Sequence, residues 1–180
     1  MKINFVKLFI SIIICELAGL VGSVFTASEI KSWYVGLEKP IINPPNWIFG
    51  PVWTTLFVLM GVSLYLVWSK KWVVKNKIIS DNKKAWNPLS QKFFSGSWEK
   101  ANIILIFATQ LILNILWSVI FFGQHSPDLA FFEILMLWVA IMFTIVNFYR
   151  VSKAAAFILI PYIVWVSFAA ILNYLIWMLN

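Results

Sequence analysis

Histidine, cysteine and charge are all scarce in this chain. One histidine and one cysteine stand among 180 residues. The single thiol, Cys15, forms no intramolecular disulfide, and no Cys/His group has metal-ligand spacing, so no metal site is expected. Charged residues make up 12% of the chain, where a soluble domain carries roughly 25%. So few charges cannot cover a water-facing surface. The seven acidic residues form no evident acid/base dyad, and no nucleophile stands beside a base, so conventional catalysis has no support.

What is plentiful is apolar. The chain is 62% hydrophobic with 11 tryptophans, and its mean hydropathy is +0.87. Membrane lipids are its expected surroundings. Taken alone, the net charge of +7 suggests a nucleic-acid partner. However, most of the basic residues lie in one hydrophilic segment between apolar runs, which reads as a topology signal, and no nucleic acid is expected. Lys2, Lys7 and the following apolar run resemble a signal peptide. Glu16 interrupts that run and no small-x-small cleavage site follows, so the segment is read as a retained first span.

A bilayer core about 30 Å thick needs roughly 20 apolar residues in helix. Five runs qualify, at about 5–26, 45–68, 101–122, 129–149 and 154–179. They are long and lack period-two alternation, which favours helix over strand. The expected fold is an all-α integral membrane protein, a five-transmembrane-helix bundle forming a single membrane domain over 1–180. Segment 27–43 reads as a lid folded back on the bundle. Segment 69–100 reads as a basic interfacial loop, part of which is a candidate helix. Of the 14 Lys and Arg residues, only Lys31 and Lys39 fall on the lid side. That bias places the N-terminus inside the cell and the C-terminus outside.

Residues 33–53 read WYVGLEKPIINPPNWIFGPVW, Ile120-Phe121-Phe122-Gly123 follows the third span, and PYIVWVSFAAILNY occupies 161–174. These blocks, in this order, resemble the translocator protein family, also called peripheral benzodiazepine receptors or tryptophan-rich sensory proteins. The resemblance implies a five-helix membrane fold, often a homodimer. It implies binding of porphyrins and, in many members, of sterols and benzodiazepine-site small ligands, with no covalently bound cofactor. Roles it suggests are tetrapyrrole transport, stress sensing and, for some bacterial members, light-dependent porphyrin breakdown. Animal members end the fifth helix with a sterol-recognition pattern that closes on Lys or Arg. Here Tyr174 is followed by no base, so sterol binding is expected to be weak at most.

The polar and aromatic residues can also be read by face and depth. Gln110, Asn114, Trp117 and Phe121 share one face of the third span, and Tyr162, Trp165, Ala169 and Asn173 share one face of the fifth. Polar groups in hydrocarbon are costly, so these faces either hydrogen-bond between helices or line a cavity. At about 1.5 Å of rise per residue, Trp53 lies roughly 12 Å deep and Trp138 roughly 14 Å deep from the lid side. Gly22, Ser23 and Ala169 are small and sit toward the same leaflet, and Trp33 and Tyr34 approach from the lid. The candidate ligand-binding set is Ser23, Tyr34, Phe49, Trp53, Asn114, Trp117, Trp138, Trp165, Ala169, Leu172 and Asn173. Trp53 and Trp138 are also the candidates for photochemistry with a bound porphyrin. Trp68, Trp72, Trp98 and Trp177 fit an interfacial belt. Pro51 is expected to kink the second span and Pro161 to bend the fifth.

The remaining candidates keep their alternatives. Glu16, mid-span, is read as protonated or hydrogen-bonded, with a proton site as the rival. Glu133 is read as a cavity-edge or interhelical hydrogen-bonding group, and His125 as a solvated turn residue. Lys31 and Lys39 are either solvated or placed to meet porphyrin propionates. The leading function is a membrane receptor for porphyrins and similar flat, apolar ligands, because aromatic walls stack on a macrocycle. The rivals are a tetrapyrrole or lipid carrier, a light-dependent porphyrin-degrading enzyme and a ligand-responsive regulatory protein.

Overall fold

The structure, a computed structural model, describes residues 3–70 and 96–180, with the backbone alone for 96–99. The expectations for Trp72, for Trp98 and for most of the basic loop fall outside the described residues or side chains. Five helices are long and apolar enough to cross a membrane: Phe5–Glu29, Asn46–Trp68, Lys100–Gly123, Pro127–Val151 and Lys153–Leu179. No strand occurs among the described residues.

Local chemistry sets the helix ends. Helix α1 (Phe5–Glu29) is capped by the Asn4 side chain, which accepts the Lys7 backbone N–H at 3.1 Å. A helical turn, α2 (Trp33–Gly36), forms the lid's middle. After Pro44-Pro45 a 3-10 turn (Asn46–Ile48) leads into α3 (Phe49–Trp68). Pro51 therefore sits in the first turn of α3, where the missing N–H would have no helical partner anyway. From there α3 runs without a break to Trp68. Helix α4 (Gly96–Ser118) ends in a π turn (Val119–Gly123), closed by the Gln124 N–H on the Val119 carbonyl at 2.9 Å. Helix α5 (Pro127–Val151) has Pro at its start, Asp128 in its first turn and Arg150 in its last, all suited to the helix dipole. The fifth span is broken: α6 (Lys153–Ile158) stops at Leu159 and α7 (Ile160–Leu179) begins just before Pro161. That break is the bend expected from Pro161, sharpened into two helices.

The helices pack as a ring. Helix α1 lies against α3 and α4, α4 against α5, and α5 against α7, while α6 bridges α3 and α5. The close approach of α1 and α3 depends on Gly61, where a Cβ would lie 2.5 Å from the Ile12 Cα. Ser63 donates to the Ala155 carbonyl at 2.8 Å and ties α3 to α6. Away from the lid the interior is a packed core that includes Met60, Leu64, Val67, Ile103, Phe107, Phe148 and Leu159. Phe107 and Phe148 stack there at 5.5 Å. Toward the lid the helices part around a cavity.

Candidate functional site

The cavity holds about 520 Å³, within the range of small-molecule sites. Four spans and the lid form its walls. Helix α1 contributes the face that runs from Glu16 through Gly19, Gly22, Ser23 and Thr26 to Ile30. The 3-10 turn and α3 contribute Asn46, Trp47, Phe49, Gly50, Trp53, Thr54 and Phe57. Helix α4 and its π turn contribute Asn114, Trp117, Ser118, Phe121 and Phe122. Helix α7 contributes Trp165, Ala169, Leu172, Asn173 and Ile176, and Tyr34 comes from the lid. Leu20, Ser23, Trp47, Gly50 and Thr54 line the cavity yet are exposed, so it opens sideways between α1 and the start of α3.

Aromatic contacts hold the walls. Trp53 packs 5.8 Å from Phe57 and edge-on to Tyr162 at 6.4 Å. Phe49 meets Trp165 edge-on at 6.1 Å, and Trp117 stacks on Phe121 at 5.0 Å. The π turn places the adjacent Phe121 and Phe122 both inside, 2% and 6% exposed. In a regular α-helix neighbours diverge by about 100°. Trp33 docks edge-on against both of these phenylalanines, and Tyr34 packs against the same pair.

Hydrogen bonds fix the polar members. Asn173 accepts the Trp117 indole N–H at 2.9 Å and donates to the Pro127 carbonyl at 2.7 Å, so one amide joins α7, α4 and α5. Asn114 donates to the Tyr162 hydroxyl at 3.1 Å, which donates in turn to Gln110 Oε1 at 2.9 Å. Gln110 lies below the cavity as interhelical glue; of the two open readings the structure selects that one. Ser23 donates to its own helix at Leu20 O.

The lid is fastened at several points. Tyr34 donates to Asn43 Oδ1 at 2.8 Å, and burial pushes its phenol up to about 12 despite that bond, so it stays a donor. Lys39 sits 4.8 Å over the Tyr34 ring and donates to the Leu37 and Val35 carbonyls. Asn180 pairs with both backbone groups of Glu38, at 2.9 and 3.0 Å. His125 stacks on Trp33 at 4.5 Å and lies 3.0 Å from Glu29 Oε2. It is exposed but not merely solvated, and its φ of 53° turns the chain into α5.

Ten of the eleven candidate ligand residues, all but Trp138, line the cavity. Trp138 is directed elsewhere: its indole N–H donates to Ser167 Oγ at 2.9 Å, and it packs on the core behind α7. Its depth matches that of Trp53, but depth does not fix the side of the helix that faces inward. With Trp138 absent from the wall, its expected photochemical role loses its geometry. Glu133 is corrected likewise. It is 2% exposed, off the cavity, and neither carboxyl oxygen has a partner among the described residues. Lys31 and Lys39 do not line the cavity. The reading by residue type missed Asn46, Trp47, Phe57 and Phe122. The α1 wall was visible as Glu16, Gly19, Ser23, Thr26 and Ile30 at spacings of three and four.

Comparison with known proteins agrees over nearly the whole chain. The TspO/MBR family matches residues 11–178. The tryptophan-rich protein TspO of Archaeoglobus fulgidus is 38% identical over 177 residues, 98% of this chain and 99% of that protein. The translocator protein of Homo sapiens is 38% identical over 163 residues, covering 90% of this chain and 83% of its own length. The tryptophan-rich sensory protein of Cereibacter sphaeroides is 26% identical over 160 residues, 89% and 82% of the two chains.

Proposed function

This chain belongs to the TspO/MBR family, and from that premise we propose that it is a multi-pass membrane receptor for porphyrins and related flat, apolar ligands. The observation that carries the reading is the cavity itself: about 520 Å³ beneath a fastened lid, walled by Phe49, Trp53, Trp117, Phe121 and Trp165. Each ring that stacks on a bound macrocycle adds about 0.5–1.5 kcal/mol beyond area burial. Sterols are poorer candidates, because Tyr174 has no basic neighbour after it in the sequence and packs instead on Phe131 and Trp177.

A second reading, light-dependent consumption of the bound porphyrin, is favoured by Trp53 at the cavity wall. The porphyrin would absorb the light, dissolved dioxygen would be the oxidant, and the protein would supply an electron-rich indole held beside the excited ligand. The test is a protoporphyrin titration of purified protein in the dark, followed by the absorbance decay under illumination. Saturable one-site binding supports the receptor; its absence sinks it. Trp53→Phe keeps an aromatic wall, so it should bind in the dark within about threefold of wild type and slow the decay. An unchanged decay rate with intact binding would remove Trp53 from the photochemistry.

A further inference from the structure

Helices α1 and α3 are joined away from the lid and parted toward it. At the joined end Gly61 lies against the Ile12 backbone, and a Cβ at Gly19 would collide with the Phe57 ring. Past Gly19 the contact ends. A Cβ at Gly22 would meet only Ser118 of α4, and one at Gly50 on α3 would meet nothing within 4 Å. The side opening is therefore a wedge with its apex at Gly19 and Phe57. Just below the apex the cavity lining ends at its floor, made by Glu16, Phe57, Asn114 and Trp165.

Depth and rim say what covers the wedge. Leu20 stands nine positions before the lid end of α1 at Glu29, about 14 Å down the helix. Thr54 stands eight positions after Asn46, where its span begins, about 12 Å down. Half of a hydrocarbon core is about 15 Å thick, so the wedge lies at the level of acyl chains. Its rim is uncharged: residues 20–28 and 46–69 contain no Asp, Glu, Lys or Arg. Leu20, Val24 and Trp47 are 62%, 68% and 73% exposed there. The way from water, by contrast, is tied shut. Tyr34 holds Asn43, Asn180 holds both backbone groups of Glu38, and His125 stacks on Trp33. We propose that the wedge between α1 and α3 is the cavity's gate onto the lid-side leaflet: lipid acyl chains cover it, and an apolar guest passes through it from the hydrocarbon while the lid stays fastened. The proposal rests on the receptor reading above and adds the route and the lipid partner. A guest dissolved in the leaflet has already left water and meets the wedge directly, whereas entry from above must first break the lid's hydrogen bonds.

The test uses full-length protein in phosphatidylcholine nanodiscs, in the dark. A nitroxide on Thr54→Cys, in a Cys15→Ser background, reports what fills the wedge, and one on Ser32→Cys in the lid is the reference. Dioxygen concentrates in hydrocarbon and a neutral nickel chelate in water. The Thr54 label should collide mostly with dioxygen and the Ser32 label mostly with the chelate. Exchange is read from the emission of protoporphyrin dimethyl ester, an apolar probe, as it binds and as it is drawn off into empty vesicles. Gly50→Trp sets a large ring in the open space of the wedge. It should slow arrival and departure together, each by about tenfold, as a gating step does. Asn180→Ala unties Glu38 and lines no part of the cavity. It should leave both rates within about twofold of wild type. Collisions at Thr54 dominated by the chelate overturn the gate, because the wedge then holds water. Unchanged rates in Gly50→Trp, or faster exchange in Asn180→Ala, overturn it while ester binding keeps the receptor. A Gly50→Trp that only speeds departure makes Gly50 a wall residue and overturns the gate too. A wild type that binds no ester removes the receptor reading and, with it, the passage of guests.

Discussion

Trp117 and Trp138 show how differently two indoles bonded to one helix are used. Both donate a hydrogen bond to α7, Trp117 to Asn173 and Trp138 to Ser167. Only Trp117 lines the cavity. Trp138→Phe should therefore leave dark porphyrin affinity within about twofold of wild type. It should cost about 0.5–1.5 kcal/mol of stability through the lost Ser167 bond. Asn173→Leu should do both kinds of harm, since it strands the Trp117 indole N–H and the Pro127 carbonyl and reshapes the wall; a cost of about 1–3 kcal/mol is expected. Titration and denaturation of each variant would check this, and a large affinity loss in Trp138→Phe would return α5 to the ligand wall. At this scale the sequence was legible wherever two residues of one face marked each other, as Asn114 with Trp117 and Ala169 with Asn173. Trp138 stood alone on its helix, and a rise per residue gives depth without azimuth.

Among the elements, the junction of α1 with α3 is the most exacting. Gly61 meets the backbone of Ile12, with a Cβ position 2.5 Å from Cα and 2.9 Å from N. Backbone cannot rotate aside as a side chain can. Gly61→Ala should force the two helices apart and cost about 1–3 kcal/mol. Gly36→Ala in the lid, where a Cβ meets nothing within 4 Å, should be close to neutral. Thermal denaturation of the two variants side by side is the measurement, and an unaffected Gly61→Ala would show that α1 slides freely. The α6–α7 break was legible because Pro161 names it. The π turn at Val119–Gly123 was not, because an apolar run carries no mark that distinguishes an i→i+5 bond from an i→i+4 bond. Phe122 was missed for that reason: regular helix geometry would have turned it away from Phe121.

At the scale of the molecule the lysines divide the ends. Lys7, Lys70, Lys100, Arg150 and Lys153 lie at the end away from the lid, and Lys31 and Lys39 lie at the lid. In a Cys15→Ser background, Ser32→Cys should react with an impermeant thiol reagent on intact cells and Asn82→Cys should not. The reverse pattern would invert the protein in the membrane. The five-span bundle was legible from length and hydropathy alone, because lipid leaves the backbone few other ways to satisfy its polar groups. The cavity's extent was not, because it depends on how far four helices part, which no single helix records. Its floor has a further consequence. Beneath Glu16, Phe57, Asn114 and Trp165 the described residues close into a packed core. A vessel with a mouth and a sealed base fills and empties by one route. Arrival and departure would then retrace each other, and a guest's residence time would be set at the opening between α1 and the start of α3.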